Sequence, residues 1–224
     1  MSVKDGKPKK TQIGKIYQYK DNLTFWPETF LEQSNPLARS SIFAVSTKTK
    51  NTFYEKYTEL NVIGEGKIEY RGPQLLVFDE PLFLTLLSSL RGQSLFTPIE
   101  ISKNAILADM GFTKGGKNHI KLVDALDRLD SAGLKVSSKH ALRKLSEFLL
   151  NPKLQDNLSP EFVSEMHKRY GKFLNAIDEA LYENEDFFIT LKFFQNYASN
   201  PDNGKLIIQL DPLLVLLFDG INTT

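Results

Sequence analysis

Cysteine is absent from the 224 residues, which excludes disulfides, thiolate nucleophiles and cysteine-held metals and fits a reducing compartment. Long apolar runs are also missing, so no transmembrane helix is expected. Met1-Ser2-Val3 leads into Lys4, Lys7, Lys9 and Lys10 with nothing apolar behind them, so no secretory signal is expected and the protein is read as cytoplasmic. Histidine occurs only as His119, His140 and His167, and no pair sits one helical turn apart, so no metal site is expected. No Gly-x-Ser-x-Gly motif is present, and the carboxylates form no metal-binding pattern. The chain is therefore expected to be no enzyme, with no catalytic residues and no cofactor. Gly64-x-Gly66 is no nucleotide fingerprint, because the third glycine and the following helix are missing.

Excess charge of one sign is lacking overall: the formal net charge is +1. A nucleic-acid site must then come from local segregation. Such segregation is present. Residues 1–20 hold six lysines against Asp5 alone, and Lys114 to Lys121 holds three lysines and no acid. Lys135, Lys139, Arg143 and Lys144 form another acid-free stretch, while Asp178, Glu179, Glu183, Glu185 and Asp186 gather the acids later. The 1–20 segment is poor in large apolar side chains and is expected to be a flexible basic arm.

The stretch from Thr97 to Gly133 organises the rest. It predicts a helix opening after Pro98, with Ser102 as N-cap, and ending at Met110-Gly111. A second helix is predicted from Thr113 to about Asp130. Ile120, Val123, Leu126 and Leu129, widened by Leu122 and Ala125, make its core-facing stripe. Lys117, Lys121 and Arg128 lie on the neighbouring face, with Lys114 and His119 at the start. On periodicity alone this is either a helix-turn-helix or a plain helical hairpin with a cationic end. A helix start with free N–H groups suits phosphate, and Gly115 and Gly116 would let a backbone come close. Lysines contact phosphates, and Asn118 can pair with adenine.

Elsewhere, Asn22 to Leu37 reads as an irregular packed segment, with Trp26 as a core anchor in preference to an exposed stacking platform. Strands are predicted over Ser40–Ser46, Phe53–Val62, Lys67–Gly72 and Leu134–Ser138. Asp79, with Pro81 in the first turn, starts a helix whose face is Leu82, Phe83, Leu86, Leu87 and Leu90, with Gly92 a plausible C-cap. Lys139 to Leu150 is helical and halted by Asn151-Pro152, and Ser159-Pro160 caps a further helix running to Leu181. Asp186 to Tyr197 reads as one strand, returning as Lys205–Leu210 after the turn at Asn200–Gly204. Asp211-Pro212 starts a short helix, Leu213 to Phe218. Three helices and a hairpin predict an α+β winged helix-turn-helix with a β-hairpin wing, N-terminal strands and a helical insertion. The arm spans 1–20, and a single winged-helix domain spans 21–224, with the insertion at about 139–183.

Several segments also resemble, in order, the plasmid replication initiators of the TrfA type. These are Leu23-Thr24-Phe25-Trp26-Pro27-Glu28, the 35–43 stretch around Arg39, Ile68 to Leu75, Gly115-Gly116-Lys117-Asn118-His119 with Leu122, Leu126 and Leu129, and Gly204 to Pro212 with Leu217-Phe218. The likeness spans about 23–218. It implies a DNA-binding bacterial plasmid protein that binds origin repeats through a winged helix and helps start plasmid DNA replication. Double-stranded DNA is the implied partner, with a homodimer and host replication proteins as further ones and no membrane. The DNA-contacting residues expected are Lys114, Gly115, Gly116, Lys117, Asn118, His119 and Lys121, with Lys192 and Lys205 on the wing. Family members continue past the equivalent of Phe218 into a second winged helix, so this chain is expected to correspond to the first. The alternative is a dimerising regulatory module or a transcriptional repressor controlling plasmid copy number.

Overall fold

A computed structural model describes residues 42–44, 52–60, 66–90, 93–150, 160–183, 187–200 and 204–218. The 1–20 arm, the 22–37 segment with Trp26, Gly64, Gly92, Asn151-Pro152, the Ser159 cap and residues 201–203 of the expected hairpin turn lie outside them. The described chain is a mixed α+β structure with six helices. No described helix is long and apolar enough to cross a membrane, and no metal-holding group of His, Asp and Glu occurs among the described residues.

Four short strands come first: β1 (Phe43–Ala44), β2 (Phe53–Leu60), β3 (Lys67–Pro73) and β4 (Leu75–Leu76). Then follow α1 (Asp79–Ser89), β5 (Ile99–Ser102), α2 (Lys103–Asp109) and α3 (Gly116–Ser131). Next come β6 (Gly133–Ser137), α4 (Lys139–Leu150), α5 (Pro160–Glu183) and β7 (Ile189–Lys192). The last elements are β8 (Phe194–Ser199), β9 (Lys205–Leu210) and α6 (Pro212–Phe218). β1 pairs with β4 in parallel, and the other strands form two antiparallel sheets, ordered β2-β3-β6-β7 and β5-β9-β8.

The four-stranded sheet follows its period-two pattern. Tyr70, Leu134 and Leu191 form one row across three strands, and Ile68, Val136 and Ile189 form the next; all six side chains are buried. The opposite face carries Glu69, Lys135 and Thr190 in register, with Lys135 above the Tyr57 and Phe188 rings at 4.4 and 4.5 Å. Helix α1 buries Leu82, Phe83, Leu86 and Leu87, as the sequence predicts. The Phe83 ring stands edge-on to Phe193 at 4.9 Å.

Phe193 marks the first departure from expectation. The run expected to be one strand from Asp186 to Tyr197 belongs to two sheets: β7 closes the four-stranded sheet, and β8 pairs with β9. The cause is local. Ile189, Leu191 and Phe193 are buried with Thr190 and Lys192 exposed between them, but Phe194, directly after Phe193, is also fully buried. Two successive buried side chains break the alternation, so the chain turns from one sheet to the other.

The helices expected within 139–183 are present as α4 and α5, packed on each other and connecting the neighbouring strands β6 and β7. Phe162 on α5 lies against Phe96 at 5.5 Å, and Arg169 stacks over the same ring at 4.8 Å. Asp211 immediately precedes helix α6, and its Oδ1 accepts from the Leu213 N–H at 2.9 Å while Oδ2 accepts from the Lys192 N–H at 3.2 Å. Burial pushes this carboxyl up, against those backbone donors.

Candidate nucleic-acid interface

The predicted first helix is in fact a strand followed by a shorter helix. Ile99–Ser102 pairs with β9, and only Lys103–Asp109 is helical. β-branched Ile99 and Ile101 meet Ile208 and Leu206 across the ladder, and this pairing decides the conformation. The Ser102 cap forms as expected, its hydroxyl accepting from the Ala105 N–H at 3.1 Å.

The corner between α2 and α3 is built around Gly111, at φ +77. Its N–H donates to Ala108 at 2.9 Å, and the Phe112 N–H donates to Leu107 at 2.7 Å. These two bonds form a Schellman closure, which wants a left-handed residue at that position. Gly111→Ala is expected to lower stability by about 1–2 kcal/mol, because an alanine pays the left-handed penalty with no neighbour to relieve it. Urea denaturation checks this value.

Helix α3 then starts at Gly116 with Gly115 as N-cap, whose carbonyl accepts from the Asn118 and His119 N–H groups at 3.0 and 3.1 Å. Neither glycine has positive φ. A Cβ at Gly115 would meet only Thr113 Oγ1, at 3.9 Å, and one at Gly116 would meet nothing within 4 Å. Folding does not demand glycine here, and the space in front of both is open.

The outward face of α3 differs from the predicted one. Leu122, Ala125, Leu126 and Leu129 are buried, while Ile120 is 64% exposed and Val123 only half-buried. Steps of three residues fall about 60° short of a full turn at 3.6 residues per turn, so a row counted from Ile120 drifts across the helix. Counted correctly, Ile120 lies about 170° from the centre of the buried stripe. Lys117, Lys121 and Asp124 are exposed around it, and Lys114 is exposed just ahead of the helix. Among the described residues, Lys114, Lys117 and Lys121 form no ion pair. Positive charge occupies the first half of the helix. Asp124, Asp127 and Asp130 occupy the second, and the last two push up the Tyr197 phenol of β8, secondarily to burial.

Two expected contact residues are turned toward the protein. The Asn118 amide donates to the Thr113 carbonyl at 2.8 Å and to its hydroxyl at 3.1 Å, which holds the turn before the helix. His119 Nε2 meets Asn104 Oδ1 at 3.0 Å, tying α3 to α2.

Arg128, read from sequence as part of the basic face, turns inward. Its Nε and Nη2 donate to both carboxylate oxygens of Asp79 at 2.8 and 2.6 Å. The Asp79 side chain is fully buried and also accepts from the Leu76 N–H at 2.8 Å. Burial opposes the Arg128 charge, but Asp79 and then Asp124 outweigh it and raise the guanidinium above its ordinary value. Burial, then the Asp79 charge, raises the Tyr70 phenol well above the usual range. Asp79 starts α1 as the sequence predicts, and its buried carboxylate is also the anchor that fixes α3 on α1. A pairing across 49 residues leaves no local signal. The bare backbone of Gly72, at φ +125, closes on the other end of α3: a Cβ there would lie 2.9 Å from the Ser131 carbonyl.

The hairpin β8–β9 lies beside this unit. The Gly204 carbonyl accepts from the Lys103 N–H at 3.1 Å, so the hairpin's turn abuts the start of α2. Lys205 opens β9 and its ammonium donates to Glu100 of β5. Lys192, expected on the same hairpin, is on β7 in the other sheet, opposite Gly133. The strand switch at Phe193 is what separates the two lysines.

No curated protein matches the chain. Two solved structures are similar to it, at 13% identity. One, a selenomethionine derivative of domains 2 and 3 of RctB, has a TM-score of 0.43 and covers 78% of this chain and 59% of that one. The other, RctB domains 2-3, has a TM-score of 0.42 and covers 76% and 57%. The chain thus spans less than two thirds of either structure's length. The TrfA protein family model matches residues 5–153, which take in α1 to α4 and stop short of α5 and the hairpin. With about two thirds of its residues inside that match, the chain belongs to the TrfA family.

Proposed function

We propose that the protein is a plasmid replication initiator that grips double-stranded origin repeats through a winged helix and acts by binding, with no bond chemistry. The observation that carries this is the outward first half of α3, where Lys117 and Lys121 stand exposed, Lys114 precedes them and no acid intervenes. Connectivity supports it. The order α1–β5–α2–α3–β8–β9, with β5 paired to β9, is that of a winged helix. The block β6–α4–α5–β7 is inserted between α3 and the wing, and 1–20 serves as a basic arm on the single domain. Family membership supports the initiator assignment.

In this reading α3 lies in the major groove. Lys114, Lys117 and Lys121 hold phosphates, and the open backbone at Gly115 and Gly116 allows close approach. Asn118 and His119 hold the helix-turn-helix in shape, so their contribution to DNA binding is positional. Lys205 braces the flanking backbone only by leaving Glu100, and Lys192 reaches DNA only if the four-stranded sheet also faces it.

Footprinting of the full chain on the replicon that encodes it tests the assignment. Protection of short direct repeats is expected. Protection of its own promoter alone would make it a repressor. A dimer by light scattering that protects no DNA would make it a regulatory module.

A further inference from the structure

We propose that Ile120 is a specificity-determining residue, reading thymine through its 5-methyl group in the major groove. The inference rests on the DNA-binding reading above and adds the base that α3 selects.

An isoleucine 64% exposed in a helix that buries all three of its leucines adds nothing to the buried core. It sits at the centre of the outward face, with Lys117 and Lys121 about 60° and 100° round the helix on one side of it and Asp124 one turn further on. Lysines on that one side anchor phosphates along one wall of the groove, which leaves Ile120 turned toward the groove floor. The other candidates for base reading in these two turns are engaged. The Asn118 amide is bonded to Thr113, and His119 is bonded to Asn104. Ile120 has no polar group, so it cannot read a donor or acceptor. The one apolar feature in the major groove is the thymine methyl. Acids at Asp124, Asp127 and Asp130 keep the later turns away from phosphates, which places the first two turns, and so Ile120, deepest.

The test uses the full chain and a duplex library with a randomised core. The enriched duplex is resynthesised with deoxyuridine in place of each thymidine in turn, which removes only the methyl. At one position per site the wild-type affinity is expected to fall about 5-fold to 10-fold, the scale of one lost apolar base contact. Ile120→Ala is expected to bind the thymine duplex weaker by the same factor and to lose nothing more on the uracil duplex. Ile120→Val, which keeps a branched apolar end, is expected to retain most of the discrimination. The thermal midpoint of both variants is expected to match wild type, since the side chain is exposed. If no uracil substitution weakens wild type, or if Ile120→Ala responds to uracil as wild type does, the assignment to Ile120 is overturned while salt-dependent duplex binding still stands. Failure of the library to enrich any duplex overturns both readings.

Discussion

Reversing the charges of Lys117 and Lys121 together is expected to weaken duplex binding by at least about 30-fold at roughly 0.15 M salt. Each phosphate contact releases about 0.9 counterion, so losing two removes about 1.8 from the slope of log affinity against log salt. At that ionic strength the lost slope corresponds to the 30-fold figure, and the repulsion of two introduced carboxylates adds to it. Both lysines are exposed, so folding should not change. Reversal of Lys192 serves as the comparison. Its strand belongs to the other sheet, and its effect should be much smaller unless that sheet also meets DNA. A salt titration of affinity for wild type and variants checks this. An unchanged affinity and slope in the double variant would remove α3 from the interface.

The second large effect is on stability. Arg128→Ala is expected to cost about 3–5 kcal/mol, the usual penalty for stranding a buried charge. Asp79 would keep a single described partner, the Leu76 N–H, in a site with no exposed side-chain surface. In a chain of this size the melting temperature should fall on the order of 10 °C. The pair variant Asp79→Ala with Arg128→Met is expected to recover much of the loss, because it removes both charges and fills the guanidinium's space with an apolar side chain. Equal losses in the single and double variants would mean that the ion pair itself does not anchor α3. The loss should also reduce DNA affinity below the melting range, since this pair sets how α3 sits on α1.

Much of the secondary structure was legible locally. The face of α1, the Ser102 cap, the glycine corner at Gly111 and the alternation of β3 all follow from side chains within a turn or two of each other. The candidate site was legible as a region, since three lysines without an acid over Lys114 to Lys121 stand out in a nearly neutral chain. Its residue-level anatomy was not. Ile120 was placed in the core because counting by threes ignores the drift of the helical repeat, an error correctable from sequence by using the full angle. Arg128 was placed on the basic face because a lysine row and an inward-turned arginine have the same spacing. Only Asp79, far away in sequence, tells them apart.

What the sequence by itself determined is the mixed α+β character, the helix-turn-helix corner, the basic opening of α3 and the likeness to TrfA-type initiators. The first three depend on propensity, capping or local charge, which act between near neighbours along the chain, and the likeness rests on the order of several short segments. What only the tertiary structure decided is which lysines share a surface with α3 and what holds the helix in place. Those depend on burial. Consecutive Phe193 and Phe194 enter the core together and send Lys192 and Lys205 to different sheets, and a fully buried Asp79 draws Arg128 out of solvent. Burial is settled by packing among residues distant in sequence, so no local pattern could have assigned it.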